Sequence, residues 1–254
     1  MQNLKITLIQ PNIIWENKKV NLTNYETYIN NITSKPDVII LPEMFSTGFI
    51  MKPELVENMN GDTINWMKNI TNNSNSYLMG SLIIKELDNI FNRFLCIKGE
   101  LIEFYDKKHL FAYAGEDKCY TAGNQRKIIN INGWRILLQI CYDLRFPVFS
   151  RNQDDYDVIV YVANWPAKRS LAWKTLLQAR AIENQSYVIG VNRVGIDGNN
   201  LEYTGDSSLI SPIGEIIWTS EEEEVIDLEL DANLLQQVRN QLPFLKDRDN
   251  FEIK

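Results

Sequence analysis

The chain has 254 residues, 44% of them hydrophobic and 23% charged, which excludes a disordered polymer and leaves enough apolar material for one large core. Its formal net charge of −7 argues against a broad nucleic-acid surface, although a local basic pocket for a small anion is compatible with it. No apolar run is long enough to span a bilayer, and the three cysteines, Cys96, Cys119 and Cys141, lack CxxC spacing, so neither a disulfide framework nor a cysteine zinc site is indicated. The first residues, MQNLKITLIQP, have no basic segment leading into a long apolar one. No signal peptide is therefore expected, and a reducing, cytoplasmic setting is.

Along the chain, short apolar runs alternate with helix-like segments. Residues 5–9 read as the first strand. Residues 21–32 read as a helix, with Tyr25, Tyr28, Ile29 and Ile32 at helical spacing, and Pro36 ends it before a buried strand at 38–41. Gly61-Asp62-Thr63 leads into a second helix around 64–71. Strands follow at 77–83 and 91–97, and Lys98-Gly99-Glu100 reads as a hairpin turn. Further strands are expected at 136–140, 158–163, 187–191 and 207–210. Between them, residues 167–184 form the clearest helix, with Leu171, Leu176, Ala179 and Ile182 as its apolar stripe. Asp197-Gly198 and residues 212–214 are turn signals, and two last strands flank the four acids 221–224, read as a solvated loop. No linker or composition break divides the chain. One α/β domain with mixed sheets over 1–254 is the economical reading, with its core at about 4–240 and a tail, 241–254, on the domain or at a dimer interface.

Three residues stand at addresses suited to chemistry. Cys141 closes the apolar run 136–140 and opens the turn Tyr142-Asp143-Leu144-Arg145-Phe146-Pro147, where a thiol is presented at a strand end; the alternative is a packing cysteine. Glu43 follows the strand 38–41 across Pro42, at the kind of strand end where ligand groups gather, with a salt-bridged loop acid as the alternative. Lys107 lies in a basic cluster between aromatic residues, which taken by itself reads first as a surface charge cluster. Together these side chains supply what a cysteine nucleophile needs: a proton acceptor and a positive group for an oxyanion. No histidine is then required, although His109, the sole histidine, leaves a Cys-His dyad open. One histidine disfavours a zinc hydrolase, and no GxGxxG, GxxxxGK[ST] or GxSxG is present.

The segments LPE at 41–43, YDKKHLF at 105–111 and ICYDLRFP at 140–147, in this order, resemble the nitrilase superfamily of carbon-nitrogen hydrolases. YVANWP at 161–166, RAIENQ at 180–185, VNRVG at 191–195 and SPIGE at 211–215 extend the likeness over nearly the whole chain. The resemblance implies a Glu-Lys-Cys triad at Glu43, Lys107 and Cys141, and a supporting glutamate at Glu116, with Asp117 one register away. It also implies a four-layer αββα sandwich, a homodimer and a reaction without cofactor or metal. ANWP and CYDLRFP point to the omega-amidase branch, whose substrates are 2-oxo dicarboxylic acid monoamides such as 2-oxoglutaramate and 2-oxosuccinamate. Such a substrate ends in a carboxylate and calls for a cation. Arg145 is the first candidate, with an internal salt bridge as its alternative, and Arg169 and Lys168 come second. Tyr142 is expected to act through its backbone N–H and Trp165 as a pocket wall or a packing element. An N-carbamoyl or aliphatic amidase, or a catalytically silent scaffold subunit, are the competing readings.

Overall fold

The computed structural model describes residues 1–253. One sheet contains β1 (Leu4–Gln10), β2 (Val38–Ile40), β3 (Tyr77–Glu86), β4 (Asn89–Lys98), β5 (Leu101–Asp106) and β14 (Glu224–Leu230), in the spatial order β14-β1-β2-β3-β4-β5. The other contains β6 (Ile128–Ile131), β7 (Trp134–Ile140), β8 (Val158–Val162), β9 (Tyr187–Val191), β12 (Ser207–Ile210) and β13 (Ile216–Ser220), in the order β13-β12-β9-β8-β7-β6. A small hairpin, β10 (Val194–Ile196) with β11 (Glu202–Thr204), stands apart from both. In each sheet the three middle strands are parallel: β1, β2 and β3 in the first, β7, β8 and β9 in the second. Parallel strands buried on both faces read as continuous apolar runs, which is why they were visible in the sequence.

Four layers result. Leu8, Ile40 and Phe94 of the first sheet meet Leu138, Val160 and Ile189 of the second in one core between the sheets. The outer face of the first sheet, through Ile39, Leu78 and Leu95, is covered by α1 (Lys18–Asn30) and α2 (Asp62–Ser74), which contribute Tyr25, Ile29, Ile64 and Met67. The outer face of the second, through Ile159 and Val188, is covered by α5 (Ser170–Asn184) with Trp173, Leu177 and Ala181. This is the αββα sandwich expected from the resemblance. Shorter elements, α3 (Glu116–Cys119) and α4 (Pro147–Ser150), sit in loops, and α6 (Ala232–Gln241) closes the sandwich. Beyond it, Arg248 pairs with Asp155 at 2.7 Å, bringing the tail against the second sheet's loops.

The expected strands and helices shift by a few residues at their ends. The first helix begins earlier, at Lys18, because the Asn17 side chain accepts from the Val20 N–H and caps it. The stripe expected on the long helix is wrong. Leu171 and Ile182 are 79% and 53% exposed, and the inner face is Trp173, Leu177, Arg180, Ala181 and Asn184. The polar members of that face find partners inside: Arg180 Nη2 donates to the Leu144 carbonyl at 2.6 Å, and Asn184 Oδ1 accepts from the Asn152 N–H at 2.8 Å. Apolar spacing alone could not choose between two half-apolar faces. Among the acids 221–224, Glu224 is already in β14, and Glu223 accepts from the Tyr28 hydroxyl at 2.5 Å.

Candidate active site

The C-terminal ends of the parallel strands meet at one place. Glu43 follows β2, Cys141 follows β7 and Asn164 follows β8. Two of the turns involved leave ordinary backbone space: Met44, next to Glu43, has φ 45° and Cys141 itself has φ 45°, a left-handed conformation that non-glycine residues hold only when surrounding contacts enforce it. At Met44 the enforcing contact is its N–H donating to Ser81 Oγ at 2.9 Å. At Cys141 it is Asp143, whose carboxylate accepts from the Ile140 N–H at 2.9 Å across the turn.

Lys107 continues from β5, its N–H donating to the Asn92 carbonyl at 3.0 Å, and its Nζ lies 3.0 Å from Glu43 Oε1. The same Nζ lies 3.0 and 2.9 Å from the two oxygens of Glu116, at the start of α3. All three side chains are fully buried. Glu116 Oε2 also accepts from the Phe111 N–H at 2.6 Å, and Glu43 Oε2 from the Asn164 N–H at 2.8 Å. Asn92 Nδ2 reaches Glu43 Oε1 at 2.8 Å and Glu116 Oε1 at 3.3 Å. The Cys141 sulfur lies 4.0 Å from the Asn164 carbonyl oxygen.

An ammonium shared by two buried carboxylates fixes the electrostatics of the site. Burial opposes the Lys107 charge, but Glu116 and Glu43 outweigh it, and its pKa is raised. Burial pushes the Glu116 carboxyl up, Lys107 pulls it back, and Glu43 adds to the rise. The Cys141 thiol is pushed well above its usual range, by burial first and by Glu43 second, with Lys107 opposing. These influences favour a thiol at Cys141 over a preformed thiolate.

A second network ties the Lys107 segment to the Cys141 turn. Asp143 Oδ2 accepts from the Tyr105 hydroxyl at 2.8 Å, and Oδ1 accepts from the His109 N–H at 3.0 Å. His109 Nδ1 is 2.7 Å from the same Oδ1 and its ring stacks on Phe146 at 3.8 Å. The sole histidine is thus engaged by Asp143 and Phe146 rather than by Cys141.

Above Cys141 opens a cleft of about 610 Å³, with Phe111, Tyr142, Trp165 and Tyr203 among its walls. Arg145 lines it, with its guanidinium 5.0 Å from the Trp165 ring centre, and Arg169 lines it 5.2 Å from that of Phe111. Neither forms an ion pair among the described residues, so the internal salt bridge considered for Arg145 is absent there. Lys168 is exposed and lies outside the cleft walls. Trp165 both walls the cleft and packs: it is buried, and its indole N–H donates to the Arg169 carbonyl at 2.8 Å. Asp117 is exposed, and Glu116 is the acid that faces Lys107. Sequence reasoning missed Asn92, Ser81 and Asn164. Asn92 and Ser81 signal themselves only as polar residues inside apolar strands, whereas Asn164 stands in the YVANWP segment that carries the resemblance.

The family model described as carbon-nitrogen hydrolase matches residues 5–240. Omega-amidase YafV of Escherichia coli strain K12 is 47% identical over 256 residues, covering 100% of both chains. The 2-oxoglutaramate amidase of Bacillus subtilis strain 168 is 29% identical over 250 residues, covering 95% of this chain and 96% of that one. Among solved structures, XC1258 from Xanthomonas campestris, a CN-hydrolase superfamily protein with an arsenic adduct in its active site, superposes with a TM-score of 0.96 at 38% identity, covering 100% of each chain. The sandwich, the buried Glu-Lys-Glu cluster beside a cysteine and full-length similarity agree: the chain belongs to the carbon-nitrogen hydrolase family of the nitrilase superfamily.

Proposed function

We propose that the protein is an omega-amidase that hydrolyses the terminal amide of 2-oxo dicarboxylic acid monoamides, 2-oxoglutaramate and 2-oxosuccinamate, through a thioester on Cys141. Glu43 takes the thiol proton as sulfur bonds to the amide carbon. The carbonyl oxygen becomes an oxyanion, stabilised by Lys107 and by the Tyr142 N–H, each donor contributing about 3 kcal/mol in comparable sites. Contacts of Lys107 with both Glu116 oxygens, at 2.9 and 3.0 Å, need only one bifurcated N–H, which leaves another for the oxyanion. Glu43 returns the proton to the departing nitrogen and ammonia leaves. Water then gives a proton to Glu43 and attacks the thioester; the tetrahedral adduct expels the sulfur, which recovers that proton, and the carboxylic acid departs.

The observation that carries the substrate class is the pair of unpaired guanidiniums, Arg145 and Arg169, in the wall of the cleft above Cys141. A charge held against an aromatic face without a carboxylate of its own is an unspent partner for a substrate carboxylate. The names of the full-length relatives support the same class. The reading includes a cytoplasmic homodimer, supported by three free cysteines and by the exposed Leu171 and Ile182 on α5. No helix among the described residues is long and apolar enough to cross a membrane.

Ammonia release from 2-oxoglutaramate, glutamine, an N-carbamoyl amino acid and a short nitrile tests the assignment. The first is expected to dominate kcat/KM, and Arg145→Met is expected to raise its KM about tenfold with kcat retained. Preference for the carbamoyl compound or the nitrile would replace the assignment.

A further inference from the structure

We propose that Asn92, held in one amide orientation by Ser81, is the positioning residue that keeps Glu43, the proton acceptor of the site, in its carboxylate form. Both glutamates are fully buried; Lys107 Nζ meets one oxygen of Glu43 at 3.0 Å and both oxygens of Glu116, at 3.0 and 2.9 Å. The inference rests on the cysteine mechanism proposed above.

The two carboxylates differ in how their lone pairs are occupied. A carboxylate offers about four acceptor sites. Glu116 has donors for all of them: Lys107 and Asn92 at Oε1, Lys107 and the Phe111 N–H at Oε2. Glu43 has three: Lys107 and Asn92 at Oε1, and the Asn164 N–H at Oε2. The remaining site on Glu43 Oε2 is the one available to a proton, and Asn92, 2.8 Å from Oε1, favours the ionised form that can take it.

Asn92 fills one site on each glutamate only if its NH₂ group, not its oxygen, faces them. Ser81 fixes this. Its Oγ accepts from the Met44 N–H at 2.9 Å, so its single hydrogen is free to go to Asn92 Oδ1, also at 2.9 Å. A flipped amide would set Oδ1 against two carboxylates and an NH₂ against the Ser81 hydroxyl. The same serine holds the left-handed turn at Met44 that points Glu43 inward. The other titratable groups facing the carboxylates are Lys107, Cys141 and Tyr120, and the Tyr120 hydroxyl donates to the Ile50 carbonyl.

The test compares Asn92→Leu, Ser81→Ala and Ser81→Thr with the wild type, measuring kcat and KM against pH on 2-oxoglutaramate and, in parallel, on propionamide, with folding checked by circular dichroism. Asn92→Leu is expected to lower kcat about a hundredfold and Ser81→Ala about tenfold with KM little changed. In both, the acid limb of the kcat profile moves about one unit higher, because a carboxylate that loses a donor is protonated more readily. Ser81→Thr, which keeps the hydroxyl, is expected to keep the wild-type limb. Should Asn92→Leu not fold, Ser81→Ala decides alone, since it removes one oxygen. An acid limb that stays in place in the variants, whatever happens to kcat, or one displaced equally by Thr and Ala, would overturn the proposal. A wild type that turns over propionamide and not 2-oxoglutaramate counts against the substrate assignment and leaves the Asn92 test intact, whereas a wild type that turns over neither removes both.

Discussion

Cys141 combines two features that seldom coincide in a packing cysteine: a left-handed backbone at the end of a buried strand and a thiol set against a buried carboxylate. Its raised pKa has a measurable sign. A group whose pKa lies above the free-thiol value of about 8.5 is still mostly protonated where an ordinary cysteine has ionised. Alkylation of Cys141 by iodoacetamide, followed by peptide mapping to separate it from exposed Cys119, is therefore expected to keep accelerating above about pH 9. A rate that levels off by about pH 8 would contradict the assignment of burial and Glu43 as the dominant influences. At this scale the sequence was legible where a motif names the residue, as for Glu43, Lys107 and Cys141, while Glu116 came only from the family resemblance with Asp117 as its alternative, and the structure brings Glu116 to Lys107. Asn92 was not, because its meaning comes from Ser81, Glu43 and Glu116, which lie in three other stretches of chain.

Between elements, the decisive connection is Asp143. Tyr105 and His109 flank Lys107 by two residues on either side, and both donate to the one carboxylate that also braces the Cys141 turn. The spacing of lysine and cysteine is thereby fixed by one buried side chain. His109 Nδ1 adds a further contact with the same carboxylate at 2.7 Å. Asp143→Asn replaces an acceptor by a donor facing N–H or O–H groups already in place. It is expected to destabilise the fold by about 2–4 kcal/mol in urea unfolding and to reduce kcat more than it changes KM. Wild-type stability in the Asp143→Asn protein would show that the network contributes little. The long buried strands were readable from their apolar runs; the short β6 and the β10–β11 hairpin were not, nor was α6, although its buried Ala232, Leu235 and Val238 stand at helical spacing. The long helix shows the limit most clearly: its buried face includes Arg180 and Asn184, which no hydrophobic pattern selects.

In the whole molecule, two parallel-stranded halves pack face to face so that their strand ends open on one cleft. This gives catalysis a rigid frame and leaves α5 on the outside. There Leu171 and Ile182 are exposed, with Gly214 so close to Ile182 that a Cβ would stand 2.5 Å from its Cγ1. Apolar side chains exposed at two points of one helix, with Lys174 and Thr175 between them, are anchors that an interface between identical copies would cover. Ile182→Arg is expected to convert a dimer to a monomer by light scattering while circular dichroism is unchanged; a wild type that is monomeric at micromolar concentration would remove the dimer from the reading. The central claim concerns chemistry, and its most direct test is ammonia release from 2-oxoglutaramate by folded Cys141→Ala. The account predicts loss of at least about a thousandfold in kcat, as for other nucleophiles that act with their base as a unit. Turnover at the wild-type rate would contradict it.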